Sequence, residues 1–402
     1  MSVYKNPGKS ERRVLSTLTV AHLAQHLFSG SSILYPSIVN ELNLNYVQIG
    51  LMVGVANILG GFLQLIYSIL GRRVSRRILL TGSNLFLSFG CFFVGLANRF
   101  ETVISGNSVA GIGQAGTHPV SSSIISSKFE VKGIGSALST FYGLGYVGNI
   151  ASPVLLSGVA ALMGYRSSYY LLGASFLVTA TVVFVGLHGE PASDRSVSEG
   201  SGRSLLQDIR SALKVKGAVP ILLAQAFISG GTGMGVMTTW VPVYLRDVPK
   251  GLGLPVFDAG VVSSVATIGG VLGTIYIGRL ADRRGYLRTA TYSLAATTVL
   301  IFLLTIYHNF TLIIVPHLFL LSMTTFCMSS ILQAYLARAA GPSERDILLG
   351  LFFTFGFGVS SLWATLLGSL IDYLSFNAVW LTMVGAGLAA QLCLFFASRN
   401  QT

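Results

Sequence analysis

All 26 lysines and arginines and all 14 acidic residues of this 402-residue chain fall in short polar stretches or at the ends of apolar runs. The interiors of about twelve apolar segments are left with no acid, no Lys and no Arg, and each approaches the roughly 20 residues that a spanning helix needs. Water does not enforce such segregation. A bilayer does, because a charge at its centre costs several kcal/mol. The chain is therefore expected to be an all-α membrane protein with twelve transmembrane helices. Four histidines, His22, His26, His118 and His317, are the readily titratable side chains left at membrane depth. Its chemistry is expected to run through imidazoles and uncharged polar groups.

Only 10% of the residues are charged, against about 25% in a soluble domain. The net charge of +12 does not point to a nucleic-acid partner, because the cations are sorted by side. Arg99, Arg166, Arg246 and Lys250 go to one set of loops and the other Lys/Arg to the opposite set. This is the positive-inside pattern. It puts the N-terminus, the central loop and the C-terminus in the cytoplasm of a multi-pass protein of the plasma or inner membrane. The basic N-terminus runs straight into the polytopic pattern without a small-residue cleavage site, so no removable signal peptide is expected. Cys91, Cys327 and Cys393 read as small buried hydrophobes. Asn309-Phe310-Thr311 is a sequon in an outer loop.

Spans are placed at 14–37, 47–70, 78–97, 102–126, 133–160, 167–187, 217–245, 257–278, 288–307, 310–337, 347–371 and 376–398. Residues 188–216 form the one long polar segment. It opens on Gly189-Glu190-Pro191, continues rich in Ser and Gly as linkers do, and ends in an amphipathic pattern with Leu205, Leu206, Ile209 and Leu213 on one face. That pattern suits a short helix on the inner membrane surface. The expected organisation is a six-helix half over 1–187, a cytoplasmic linker over 188–216 and a second six-helix half over 217–402. The halves resemble each other at an offset of 210, where Ser68-Ile69-Leu70-Gly71-Arg72-Arg73 aligns with Gly278-Arg279-Leu280-Ala281-Asp282-Arg283. Parallel repeats of this kind occur in alternating-access transporters.

Gly278-Arg279-Leu280-Ala281-Asp282-Arg283-Arg284-Gly285 resembles the cytoplasmic loop motif G-x-L-A-D-R-x-G of the major facilitator superfamily. Asp282 is expected to cap the following helix and to pair with Arg283 or a neighbouring helix end. Gly278 and Gly285 are expected to permit a tight turn. In the first half the motif has decayed: Arg72, followed by Arg73, stands where the acid belongs. Asn107-Ser108-Val109-Ala110-Gly111-Ile112-Gly113 resembles the superfamily's fourth-helix R-x-x-x-G-x-G pattern with Asn107 replacing its Arg. Gly143, Gly145, Gly148 and Pro153 resemble the Gly/Pro-rich fifth helix of antiporters. Two further segments resemble the fosmidomycin-resistance family of efflux pumps. One is Ala21-His22-Leu23-Ala24-Gln25-His26 with Tyr35-Pro36 and Gln48-Ile49-Gly50. The other is Gly111-Ile112-Gly113 with His118-Pro119-Val120. That family tends to carry His-x-x-x-Asp on its first helix and His-Pro-Glu on its fourth. Here His26 and Val120 stand in those places, so no carboxylate proton relay carries over.

The superfamily resemblance implies a pseudo-symmetric twelve-helix bundle whose first, fourth, seventh and tenth helices line a central cavity. Their polar residues are the site candidates for substrate and protons: His22, Gln25 and His26 on the first helix, Gln114 and His118 on the fourth, Gln225 with Ser229 and Trp240 on the seventh, His317 and Gln333 on the tenth. Tyr35 and Tyr244 join Trp240 as candidates at the outer end. His22 and His26 are i, i+4, as are Gln114 and His118. Counted at about 1.5 Å per residue, His22 matches His118 in depth and His26 matches Gln114, which predicts one polar cluster. The competing reading is interhelical hydrogen bonding, and for His317, beside Pro316, satisfaction of a carbonyl freed by the proline. A zinc or copper site is a third reading, since His at i, i+4 can chelate. With no thiolate or carboxylate to complete it, no metal is expected. No P-loop and no membrane-depth catalytic carboxylate, thiolate or metal set occurs, so neither an enzyme nor a cofactor is expected. The function expected is secondary transport of a small organic solute, anionic or drug-like, by proton-coupled export through His22, His26 and His118. An uncoupled facilitator and organic-anion symport remain open, as does, remotely, a sensor on a transporter scaffold. A monomer is expected, because both halves lie in one chain.

Overall fold

A computed structural model describes residues 8–71, 73–129, 131–189, 205–248 and 250–399. Arg72 and linker residues 190–204 lie outside the described residues. Every regular element among the described residues is helical. Helices satisfy their own backbone groups, which a hydrocarbon solvent demands. Ten of them are long and apolar enough to cross a membrane. The expected first and fourth spans are not among those ten. They carry His22, Gln25, His26, Gln114 and His118, whose polar side chains lower their hydropathy.

The chain divides into two compact units, Met1–Ile38 with Val55–Val197, and Val39–Gly54 with Ser198–Thr402. The first contains α1 (Lys9–Ser29), the start of α2 (Tyr35–Leu42), most of α3 (Tyr46–Leu70), α4 (Arg76–Leu96), α5 (Phe100–Lys128), α6 (Val131–Met163) and α7 (Tyr165–Gly186). In it α4 packs on α5 and α7, and α1 packs on α6 and α7. Val14, Leu18, Ala21, Leu80, Ile125, Phe141 and Val183 form a core. A 3₁₀ turn at Gly30–Leu34 interrupts the first span. Ser152 of α6 enters that break, receiving the Gly30 N–H (3.1 Å) and donating to the Leu27 carbonyl.

The second unit contains α8 (Leu205–Leu213), α9 (Ala218–Phe227), α10 (Val241–Arg246), α11 (Val256–Arg284), α12 (Tyr286–Leu303), α13 (Ile314–Phe326), α14 (Met328–Ala339), α15 (Pro342–Tyr373) and α16 (Phe376–Arg399). Its core gathers Ile221, Leu222, Leu294, Met328, Leu332, Phe352 and Leu394. The expected seventh span is not one α-helix. Two π-helical segments, Ile228–Thr232 and Val236–Trp240, separate α9 from α10, where Gly230, Gly231, Gly233 and Gly235 weaken helical propensity by up to about 1 kcal/mol each. The expected tenth span is likewise split at Cys327 into α13 and α14. The amphipathic segment at the end of the linker is α8. Ala212 is fully buried in the second core and Ser211 donates to Glu344 Oε1 (3.2 Å).

Large apolar side chains such as Phe62, Leu162, Leu362 and Leu388 are more than half exposed. In water such faces would be interaction patches. Against lipid tails, which are as apolar as leucine, they cost nothing.

Candidate functional site

The expected cluster forms within the first unit. The ring centroids of His22 and His26 lie 4.5 Å apart, of His22 and His118 4.9 Å, and of His26 and His118 6.2 Å. One ring nitrogen from each histidine lies within 4.8 Å of the others. Gln25 joins α1 to α5 by donating from Nε2 to the Gln114 carbonyl (2.9 Å), and its Oε1 is buried without a partner. Gln114 itself is half-buried.

The third wall of the cluster is α6, and the candidates named from sequence omit it. A Cβ on Gly145 would run into the His22 ring, and one on Gly148 into the Leu23 carbonyl and His26 Cβ. These two glycines let α6 lie directly on the histidine face of α1. From α6 each imidazole receives its own aromatic ring. Phe141 stacks on His22 (4.2 Å, 14°), Tyr146 on His26 (5.6 Å, 27°) and Tyr142 on His118 (6.0 Å, 13°). Tyr142 also shares a hydroxyl hydrogen bond with Ser122 (3.0 Å). Asn149 adjoins His26, and neither of its amide atoms has a partner at hydrogen-bond geometry. The sequence signal was present in the 3–4 spacing of Tyr142, Tyr146 and Asn149, with Phe141 adjacent to the first. In an apolar helix it looks like ordinary packing.

The hydrogen bonds give the cluster a direction. His22 Nδ1 lies 2.9 Å from the Phe141 carbonyl. A carbonyl only accepts, so Nδ1 carries the proton and donates. In neutral His22 the lone pair is then on Nε2, which lies 2.9 Å from His26 Nε2. Those two nitrogens need a proton between them, so His26 Nε2–H donates to His22 and His22 Nδ1–H donates to Phe141. No acidic residue occurs on α6, and those of α1 and α5, Glu11 and Glu101, sit in their first turns. The arrangement can hold and pass a proton, stabilise a cation against aromatic faces, or present lone pairs to a ligand.

In the second unit the candidates are dispersed. His317 is bonded at both nitrogens: Nε2–H donates to the Leu300 carbonyl (2.8 Å), and Nδ1 accepts from the Tyr307 hydroxyl (2.9 Å). Its acceptor is not the carbonyl that Pro316 frees. It is the end of α12, where the backbone tightens into a 3₁₀ turn and the Leu304 N–H turns to Ile301 and Phe302 instead. Gln225 is buried with Oε1 unpartnered, and Ser229 Oγ and Thr232 Oγ1 are buried and unpartnered along the same span. Trp240 and Tyr35 are buried, Gln333 is half-buried, and Tyr244 donates to the Tyr307 carbonyl (3.0 Å).

The loop motif is built differently from its expected form. Asp282 and Arg283 belong to the last turn of α11, and the N-cap residue of α12 is Gly285, at φ +94°. Asp282 accepts from the Tyr286 hydroxyl (2.6 Å), which receives Arg338 Nη1 at 3.3 Å. Gly278 lies inside α11 with open space where a Cβ would be, so the turn depends on Gly285 alone. Arg73 is exposed. A second polar group was not anticipated: Asp372 accepts from the Tyr46 and Val47 N–H groups that start α3 (3.0 and 2.7 Å). Tyr46 Oη donates to Asp247 (2.6 Å), and Lys250 Nζ donates to the Ile371 and Asp372 carbonyls (2.5 and 2.6 Å).

The model of the Major Facilitator Superfamily matches residues 18–365 and 252–402. The chain is 23% identical over 388 residues to the fosmidomycin resistance protein of Escherichia coli (strain K12), covering 95% of this chain and 92% of that protein. It is 23% identical over 243 residues to multidrug resistance protein MdtG of Proteus mirabilis (strain HI4320), covering 60% of this chain and 58% of that relative. Its fold matches a variant of the nucleoside transporter NupG at a TM-score of 0.80 and 15% identity, over 96% and 99% of the two chains. It also matches a bacterial homolog of the human lysosomal transporter Spinster, inward-facing and unoccupied, at 0.74 and 16%, over 98% of each chain. With apolar spanning helices and a family match along nearly its whole length, this chain is an integral multi-pass membrane protein, a transporter of small solutes rather than an enzyme, and it belongs to the Major Facilitator Superfamily.

Proposed function

We propose that this chain exports a small organic solute, anionic or drug-like, in exchange for protons. Two six-helix halves, 1–187 and 217–402, joined by the linker 188–216, alternate access around a midplane site. The chain acts as a monomer with both termini cytoplasmic. The observation that carries the coupling is the His26–His22–Phe141 hydrogen-bond chain in spans without membrane-depth carboxylates. Imidazole exchanges protons near neutral pH. A site whose readily titratable groups are imidazoles, without a carboxylate from α1, α5 or α6 at that depth, is neutral or positive, which suits an anionic solute. Export is supported by the names of the two resistance-protein relatives. The unpartnered Gln225, Ser229 and Thr232 oxygens are the polar contacts proposed for the solute in the second half.

The test is substrate-driven proton movement in proteoliposomes carrying a pH dye, with a panel of organic anions and hydrophobic drugs and a chelator throughout. A pH change that both His22→Ala and His118→Ala abolish is the expected result. Solute flux without a pH change, undiminished in both variants, would replace this reading with an uncoupled facilitator.

A further inference from the structure

We propose that His22, His26 and His118 form a three-imidazole site for a divalent transition metal of the zinc, cobalt, nickel and copper class. This goes beyond the transport reading and does not require it. Two histidines at i, i+4 on one helix make a bidentate clamp. The fold adds a third imidazole from α5, with one nitrogen of each within 4.8 Å of the others. At metal–nitrogen distances of about 2.0–2.1 Å, tetrahedral ligand atoms lie about 3.3–3.4 Å apart. The His22–His26 nitrogens, at 2.9 Å, need to part slightly as the metal takes the place of the proton between them, His26 keeping its N–H on Nδ1, and His118 needs to approach by an ångström or so of side-chain rotation.

The second observation is the wiring behind the cluster. A ligating histidine almost always donates its other ring N–H to a carbonyl or carboxylate, which fixes the tautomer and aims the lone pair. His22 makes that bond, Nδ1 to the Phe141 carbonyl at 2.9 Å, which directs its Nε2 lone pair at the other imidazoles. Phe141, Tyr142 and Tyr146 hold the rings by stacking. Asn149 adjoins His26 and its amide atoms are buried with no partner at hydrogen-bond geometry, so an amide oxygen lies near the His26 ring. Neutral nitrogen donors without carboxylates disfavour calcium and magnesium, which take oxygen ligands, and suit zinc, cobalt, nickel and copper. Three protein nitrogens leave one tetrahedral position for water or an anion, as in three-histidine zinc sites. A bound metal uses the lone pairs that a proton would otherwise take, so occupancy and protonation exclude each other.

The experiment titrates Co²⁺ into the purified full-length chain in detergent, carrying an affinity tag without histidine. Expected is one Co²⁺ per chain with the strong visible absorption of a tetrahedral site, bleached by one equivalent of Zn²⁺. His22→Ala and His118→Ala should each weaken binding by at least tenfold, and His317→Ala should leave it unchanged. Should either variant aggregate, Cu²⁺ electron paramagnetic resonance on the unmutated chain gives the same answer, because imidazole nitrogens split the signal. Absence of a stoichiometric site, a spectrum without nitrogen splitting, or equal binding in well-folded His22→Ala and His118→Ala overturns the proposal. Metal-binding failure leaves the chelator-treated proton assay above unaffected, so the two readings fail separately.

Discussion

His22 and His317 begin from nearly the same position. Both are buried, both sit on apolar helices, and each places one ring nitrogen on a carbonyl of a neighbouring helix, Phe141 at 2.9 Å and Leu300 at 2.8 Å. They part at the second nitrogen. His317 meets the Tyr307 hydroxyl, which donates to a bare Nδ1 or accepts from a protonated one and therefore satisfies the ring neutral or charged. His22 meets another imidazole, and two facing nitrogens must share a proton or a metal. A histidine in an apolar helix is thus a clasp or a reactive group according to its second partner, and its own helix does not decide which.

The largest expected effect separates the two histidines by function. In proteoliposomes His22→Ala is expected to lower substrate-driven proton flux by at least about tenfold, equivalent to about 1.4 kcal/mol, while His317→Ala keeps the coupling. Equal losses in the two variants, at matched protein levels, would erase the distinction.

The next test acts on the wall of the cluster. Gly145→Ala pushes a methyl group into the His22 ring, and overpacking of this kind costs about 1–3 kcal/mol. Gly143, two residues away on α6, has nothing within 4 Å of a Cβ, so Gly143→Ala should be neutral or stabilise by up to about 1 kcal/mol through helix propensity. The readout is the apparent Tm in detergent. A Gly145→Ala protein as stable as Gly143→Ala would mean that α6 does not pack on the histidine face as described.

For His317 the expectation is a stability effect without a transport effect. His317→Leu removes both hydrogen bonds and strands the Leu300 carbonyl, a cost of about 1–3 kcal/mol. His317→Gln can restore one bond and should recover about half of it. If both variants melt with the unmutated protein, the clasp is absent.

The pair His22–His118 was legible in the sequence because depth along a helix is simple arithmetic and charge segregation marks the spans. The Phe141, Tyr142 and Tyr146 rings were not, because nothing in an apolar helix announces which face meets a polar neighbour. Nor was the broken helix at Ile228–Trp240, where glycines mark the weak point but only the packing decides between bend, π-turn and straight helix. Motif resemblance misled in one respect. Asp282 looks like a cap when the letters are read alone, yet α11 runs to Arg284 and keeps it inside the helix, facing Tyr286 one turn on.

That same loop gives the smallest effect and extends the lesson of the histidines to glycine, since Gly278 and Gly285 carry the same letter in the same motif. Gly285 holds φ at +94°, where a side chain is strained, so Gly285→Ala is expected to destabilise by about 1 kcal/mol or more. Gly278 lies mid-helix with open space around it. Gly278→Ala should therefore stabilise, by no more than about 1 kcal/mol, a small rise in the apparent Tm. Were Gly278→Ala instead to destabilise the protein while Gly285→Ala did not, the turn would sit at Gly278, and the end of α11 would have to be redrawn.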